Sequence, residues 1–122
     1  MKALYKELLW IFTRLPGNYI VLDTETTGLP DGNGLPDIVS LGITAVRDQE
    51  LTDTAEFRIR PHKCISAEAQ AIHGIGVEQA AYFKPFDDEW EHIAEWLQGQ
   101  LVVIHNASFD WPILLDHVAR YG

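Results

Sequence analysis

The stretch Tyr19–Leu29, YIVLDTETTGL, constrains the chain most. Tyr19 to Leu22 are aromatic, β-branched or aliphatic, as in a buried central strand. Two acids follow, Asp23 and Glu25, with one residue between them. Strand side chains alternate between faces, so both carboxylates leave the sheet on the same side. Their Cα atoms lie about 6.5–7 Å apart at the strand rise. Two carboxylates at that separation can converge on a pair of divalent cations about 3.5–4 Å apart. Thr26, Thr27 and Gly28 end the strand, and Gly28 lets the backbone approach a ligand closely. An Asp-x-Glu near a strand end is common by itself; the full string is far more specific. Acids at the end of a buried strand are rarely placed there unless paired or bound to metal.

The chain has 122 residues, enough for one compact domain. Its net charge is −9, from 18 acids and 9 bases. That is the wrong sign for tight non-specific binding to a nucleic-acid backbone, which relies on Lys and Arg. A polyanionic substrate would need divalent metal or a basic partner to offset this field. The single cysteine, Cys64, excludes an internal disulfide and suits a reducing cytoplasm. It reads as a small packing residue rather than a reactive thiol. No stretch approaches the roughly 20 apolar residues of a membrane span. The apolar run Leu8–Phe12 is interrupted by Arg14 and lacks a cleavage pattern, which excludes a secretion signal.

Residues 1–18 read as an N-terminal helical element. Leu4, Leu8, Ile11, Phe12 and Leu15 recur at helical spacing over 3 to 15, and Pro16-Gly17-Asn18 stops the run. After Leu29 comes a Gly- and Pro-rich loop to Asp37, placed to form one wall of a site. Ile38 to Arg47 reads as a second strand, Asp48 to Asp53 as a turn, and Ala55 to Arg60 as a third strand. Three strands with short turns make an antiparallel meander.

Ser66 is a plausible N-cap of a helix that carries Glu68 in its first turn and stops at Gly74. His73 at its end either serves the last carbonyls or faces the site. Asp87 to Gln98 is the clearest helix, with Trp90, Ile93, Ala94 and Leu97 on its apolar face. Trp90 and Trp96 read as packing residues. Leu101 to Ile104 is a short, continuously apolar strand, suited to a parallel arrangement. It feeds His105–Asp110 and a last helix to Arg120, in which Pro112 is tolerable only in the first turn. An Asp at a helix start is usually a dipole residue. Here a neighbouring parallel strand would bring Asp110 beside Asp23 and Glu25.

In these motifs and their order the chain resembles the DnaQ-like (DEDDh) 3′→5′ exonucleases, the family of the proofreading subunit of bacterial DNA polymerase III. The matching text is Ile20–Leu29, Ile72–Ile75 and His105–Asp110, and the resemblance covers residues 19–122. It implies an α/β, ribonuclease H-like mixed sheet flanked by helices. It implies that Asp23, Glu25 and Asp110 are metal ligands for two Mg²⁺ or Mn²⁺ ions. One ion would activate a water for in-line attack, and both would stabilise charge on the phosphate. Thr26, Gly28 and Leu29 resemble the turn that holds the terminal nucleotide, with Leu29 on its base. His73 and Asn106 join them as substrate-binding residues. The expected partner is the 3′ end of a single-stranded DNA or RNA, or a nucleotide.

The family's third motif, a His followed by an Asp on a further helix, has no counterpart before Gly122. His117 comes too soon after Asp110 and no acid follows it, so it is not taken as the general base. Asp116 reads as a solvated helix residue. The expectation is a domain shortened before its third motif. Without a base, about 10²–10⁴ in rate is forfeited, which leaves the activity of the isolated chain open. The alternatives are an inactive nucleotide- or nucleic-acid-binding module and an interaction subunit. The strand Leu101–Ile104 would then present an edge for self-association or a protein partner.

Overall fold

The computed structural model describes residues 16–122. The helix read over 3 to 15 lies outside the described residues. Eight elements follow in chain order: β1 (Tyr19–Thr26), β2 (Ile38–Arg47), β3 (Glu50–Arg58), α1 (Ala67–His73), α2 (Val77–Ala80), α3 (Phe86–Leu97), β4 (Val102–Ile104) and α4 (Ala107–Tyr121). The strands form one sheet in the order β3-β2-β1-β4. The β1/β2 and β2/β3 pairs are antiparallel, and β4 joins β1 in parallel, with Ile20 opposite Val102 and Leu22 opposite Ile104. This is the mixed sheet with flanking helices that the α/β reading expected.

The meander turns earlier than its composition suggested. Asp48 and Gln49 both take positive φ, 51° and 66°, and close a two-residue hairpin of the kind that matches strand twist. β3 therefore begins at Glu50, inside the segment read as a turn. Glu50 to Thr54 are exposed, because β3 is an edge strand. Polar residues on a solvated edge look like loop to a pattern that scores apolar alternation.

One face of the sheet carries the core. Ile20 and Leu22 of β1 and Leu41 and Ile43 of β2 pack with Phe86 and Ile93 of α3 and Ile113 and Leu114 of α4. Trp90 and Trp96 pack partly buried against this cluster, as expected of them. A smaller cluster joins Val39 to Ile75 and Ala80. Cys64 is exposed rather than packed. α4 starts at Ala107, so Pro112 stands in its second turn rather than its first. It omits one bond, to the exposed Ser108 carbonyl, where water can serve instead.

Two features aim this frame at the end of β1. The β1/β2 register shifts between Glu25 and Thr26, where Val39 is the extra residue. Such a bulge bends the chain and is common beside functional sites. On the other side, pairing with β4 ends at Leu22 and Ile104. Beyond it the chain turns through His105 and Asn106 into α4, and the start of that helix comes to lie against the end of β1.

Candidate active site

Asp23 and Glu25 share the sheet face that α3 and α4 leave open, and Thr24 between them turns inward. The Thr24 hydroxyl donates to Oδ1 of Asp110 over 2.8 Å, inside the protein. Asp110 is the fourth residue of α4 and only 4% exposed. Its own amide and that of Phe109 donate to the Asn106 carbonyl, at 3.0 and 2.9 Å. The strand, the tight turn and the helix start thus set the third acid against the first two, 86 residues apart in sequence.

The pKa of all three carboxyls is raised above its ordinary value. Partial removal from water is the main cause each time. For Glu25 the charges of Asp23 and then Asp110 add to it, while His73 opposes. For Asp110 the Thr24 hydroxyl opposes the rise and the Asp23 charge adds to it. The Thr24 amide and His105 restrain Asp23. The three acids therefore form one electrostatic cluster. Among the described residues, no three His, Cys, Asp or Glu side chains are so arranged that they could hold a metal ion as they stand.

Beside the acids runs a groove of about 430 Å³. Glu25, Thr26, Gly28, Leu29, Ile72, His73 and Phe109 are among the residues that line it. The Thr26 hydroxyl donates to the Gly28 carbonyl at 2.8 Å and closes the turn after β1. A Cβ at Gly28 would come 3.4 Å from the Ser66 hydroxyl, so a side chain there would enter the groove. The Ile75 amide donates to Nδ1 of His73 at 3.1 Å. Nε2 then carries the proton, which points at the Thr26 carbonyl 3.0 Å away. Leu29 and Ile72 are 79% and 80% exposed. Two large aliphatic side chains at the rim of one groove form an apolar patch that folding alone does not explain.

The structure thus brings Asp23, Glu25 and Asp110 together and lines one groove with Thr26, Gly28, Leu29 and His73. Asn106 stands apart. It is the exposed N-cap of α4, accepts from the Ser108 hydroxyl at 3.2 Å, and does not line the groove. Sequence reasoning passed over Thr24, a hydroxyl at an inward position of an otherwise apolar strand. It quoted Ile72 and Phe109 without giving them a role. It also left Asp37 in a loop. Asp37 is 4% exposed, and its Oδ2 accepts from the amides of His62 and Lys63 at 2.7 and 2.8 Å, which anchors the loop after β3.

His117 is 2% exposed and both its ring nitrogens are engaged, with the Ile38 amide and the Ile113 carbonyl. It is a core residue, in line with its rejection as a base.

Residues 20–122 match the RNase_T family, described as exonuclease. The chain belongs to this exonuclease family. Among its relatives is the DNA polymerase III subunit epsilon of Salmonella typhimurium, 34% identical over 95 residues, which are 75% of this chain and 39% of the relative. Another is the PolC-type DNA polymerase III of Caldanaerobacter subterraneus, 27% identical over 108 residues, 88% of this chain and 8% of the relative. The chain spans less than half the length of these polymerase relatives. Among solved structures, exonuclease X in complex with 5′ overhanging duplex DNA superposes with a TM-score of 0.66 at 32% identity, covering 78% of this chain and 52% of that one. The nuclease domain of 3′hExo, a DEDDh family member bound to rAMP, gives 0.68 at 12% identity, covering 89% and 62%, and shows the shared fold.

Proposed function

We propose that residues 19–122 form a metal-dependent 3′→5′ exonuclease domain that hydrolyses the terminal phosphodiester of single-stranded DNA or RNA. The observation that carries this is the convergence of Asp23, Glu25 and Asp110 beside an apolar-rimmed groove. Three like-charged groups crowded together raise one another's pKa and gain nothing for the fold. A hard divalent cation, Mg²⁺ or Mn²⁺, suits an all-oxygen donor set and removes the repulsion. Asp23, Glu25 and Asp110 would hold it after their side chains turn toward a common point, since as they stand no three of the described acids do so. A cation bound there supplies Lewis-acid stabilisation of charge on a phosphodiester. The groove receives the terminal nucleotide. Leu29 and Ile72 offer apolar surface to its base, and the turn Thr26–Gly28 offers backbone groups to its sugar. His73 steadies that turn through the Thr26 carbonyl.

A second reading is a module that binds a nucleotide without cleaving it. It is favoured by the engaged rings of His73 and His117, neither of which is available as a base. Product analysis separates the two. Single-stranded DNA and RNA, incubated with the protein and Mn²⁺, should release nucleoside 5′-monophosphates, and chelation should stop the release. The better substrate settles the choice of sugar. Binding of both polymers with no monophosphate released would establish the second reading instead.

The proposed protein contact is the outer edge of β4, by self-association through Leu101–Ile104. Leu101 is 47% exposed and β4 closes one side of the sheet. A clean monomer mass in light scattering at micromolar concentration would overturn it. No described helix is long and apolar enough to cross a membrane. The proposed compartment is the cytoplasm.

A further inference from the structure

We infer that the sheet face opposite α3 and α4 is a docking surface for residues 3–15 of the same chain, which cover the half of it that lies away from Asp23 and Glu25. The inference does not depend on the proposed activity.

Two buried side chains call for such a layer. Residues opposed across β1 and β2 share a face, so Tyr19 and Val46 form one row, and Val21 and Thr44 the next. Ile20 and Ala45 point the other way, into the core beneath α3 and α4. Tyr19 is 1% exposed and Val46 is 0% exposed. Among the described residues, neither packs in that core or in the cluster around Val39. A bare sheet face would leave both side chains wet, because strand side chains stand out from the pleat. Val103, opposite Val21, extends the second row, and both are half-buried. Leu51 continues the first row beyond Val46 onto the edge strand, where it is 66% exposed. The cover therefore lies over β1 and its neighbours and leaves β3 open.

The sequence supplies the layer. The Gln49 amide donates to the Gly17 carbonyl at 3.1 Å, and the Asp48 amide donates to Oδ1 of Asn18 at 3.1 Å. These bonds fix the entry to β1 at the turn between β2 and β3, beside the buried row. Leu15 is only four residues from Tyr19. Leu4, Leu8, Ile11 and Leu15 fall on one stripe of a helix. A helix over 3 to 15 is about 20 Å long. The stretch of β1 from Tyr19 to Asp23 spans about 13 Å, so such a helix is long enough for both rows. Charge favours the same occupant. Residues 1–15 hold Lys2, Lys6 and Arg14 against Glu7, while 17 of the 18 acids and 6 of the 9 bases lie in the rest. A basic segment is drawn to so acidic a body. Its tether through Pro16–Asn18 gives it an effective concentration of about millimolar, far above that of a second copy in a micromolar solution.

The test is paramagnetic NMR on the full chain. Cys64 is exposed and is the single cysteine, so Cys64→Ser combined with Leu51→Cys offers one labelling point, at the exposed end of the buried row. A nitroxide at position 51 should broaden the backbone amide signals of residues 3–15, and reducing the nitroxide should restore them. A mixture of spin-labelled chain with isotope-labelled chain that lacks the nitroxide reads contacts between copies. Thermal unfolding gives a second measure. Leu8→Asp should lower Tm by about 5 °C or more, because an unpaired carboxylate is costly in an apolar layer. Lys6→Gln, off the stripe, should shift it by about 1 °C or less. Signals of residues 3–15 that stay sharp, broadening that arises only between copies, or a Leu8→Asp Tm equal to that of the wild type overturns the inference. If Leu8→Asp does not fold, the nitroxide result decides.

Discussion

The Ile38 amide donates a 3.1 Å hydrogen bond to Nε2 of His117. It ties the start of β2 to the last turns of α4, the helix that carries Asp110. On the opposite side of the ring, Nδ1 meets the Ile113 carbonyl at 2.9 Å. A nitrogen that accepts from one amide and another that donates to one carbonyl define a neutral imidazole. Oδ1 of Asp37, 4.0 Å from Nε2, is too far to replace the amide as partner.

That neutral ring predicts acid sensitivity. Burial holds the His117 pKa below its ordinary value, against the Ile113 carbonyl and the charge of Asp37. The unfolded chain therefore takes up a proton before the folded one does. The contribution of His117 is fully present above about pH 6.5 and is lost as pH falls from there through the lower folded pKa. Urea midpoints of the wild type and His117→Gln, measured from pH 7.5 to 5, should converge as pH falls. A difference that stays constant across the range would contradict this.

Asp110 should trade stability for function. Its raised pKa means that the ionised carboxylate penalises the fold above that pKa, and the penalty fades as pH falls through it. Asp110→Asn keeps an oxygen to accept from Thr24. It should raise Tm by a few degrees at pH 7.5, with the gain shrinking toward pH 4. Nuclease activity should fall at least about 100-fold, more than is typical when only a group that orients a metal ligand is lost. Thermal scans at both pH values check the first part, and an unchanged or lower Tm at pH 7.5 would refute it.

Leu29 and Ile72 should matter to substrate and not to the fold. Both are about four-fifths exposed, so Leu29→Ala and Ile72→Ala should each change stability by no more than about 0.5 kcal/mol. Contact with a nucleobase is worth about 1 kcal/mol or more, so each substitution should weaken oligonucleotide binding about fivefold or more. Fluorescence anisotropy with a short labelled strand reads this directly. Binding unchanged in both variants would remove the groove from the substrate path.

The sequence disclosed elements wherever one local rule sufficed. β2 was read as Ile38 to Arg47 and is found there, because it is buried along its length. The Ser66 cap accepts from the Ala69 amide at 3.0 Å, and Gly74 ends the helix with φ 74°. The acids were legible because Asp-x-Glu at the end of an apolar strand is an unusual expense of solvation. What failed depended on partners distant in sequence. Thr24 acquires its meaning from Asp110, and Asp37 from the amides of His62 and Lys63. Cys64 lies on a segment whose exposure no local pattern reveals. Asn106 was carried over with its motif; its side chain accepts from the Ser108 hydroxyl and does not line the groove.

The most direct measurement is the digestion of a 5′-labelled single-stranded oligonucleotide in Mn²⁺ by the wild type and Asp23→Ala. A ladder that shortens stepwise from the 3′ end, absent with Asp23→Ala and with chelator, is the predicted result. Equal ladders from both proteins, or no shortening by either, would contradict the assignment of Asp23, Glu25 and Asp110 as a working phosphodiesterase site.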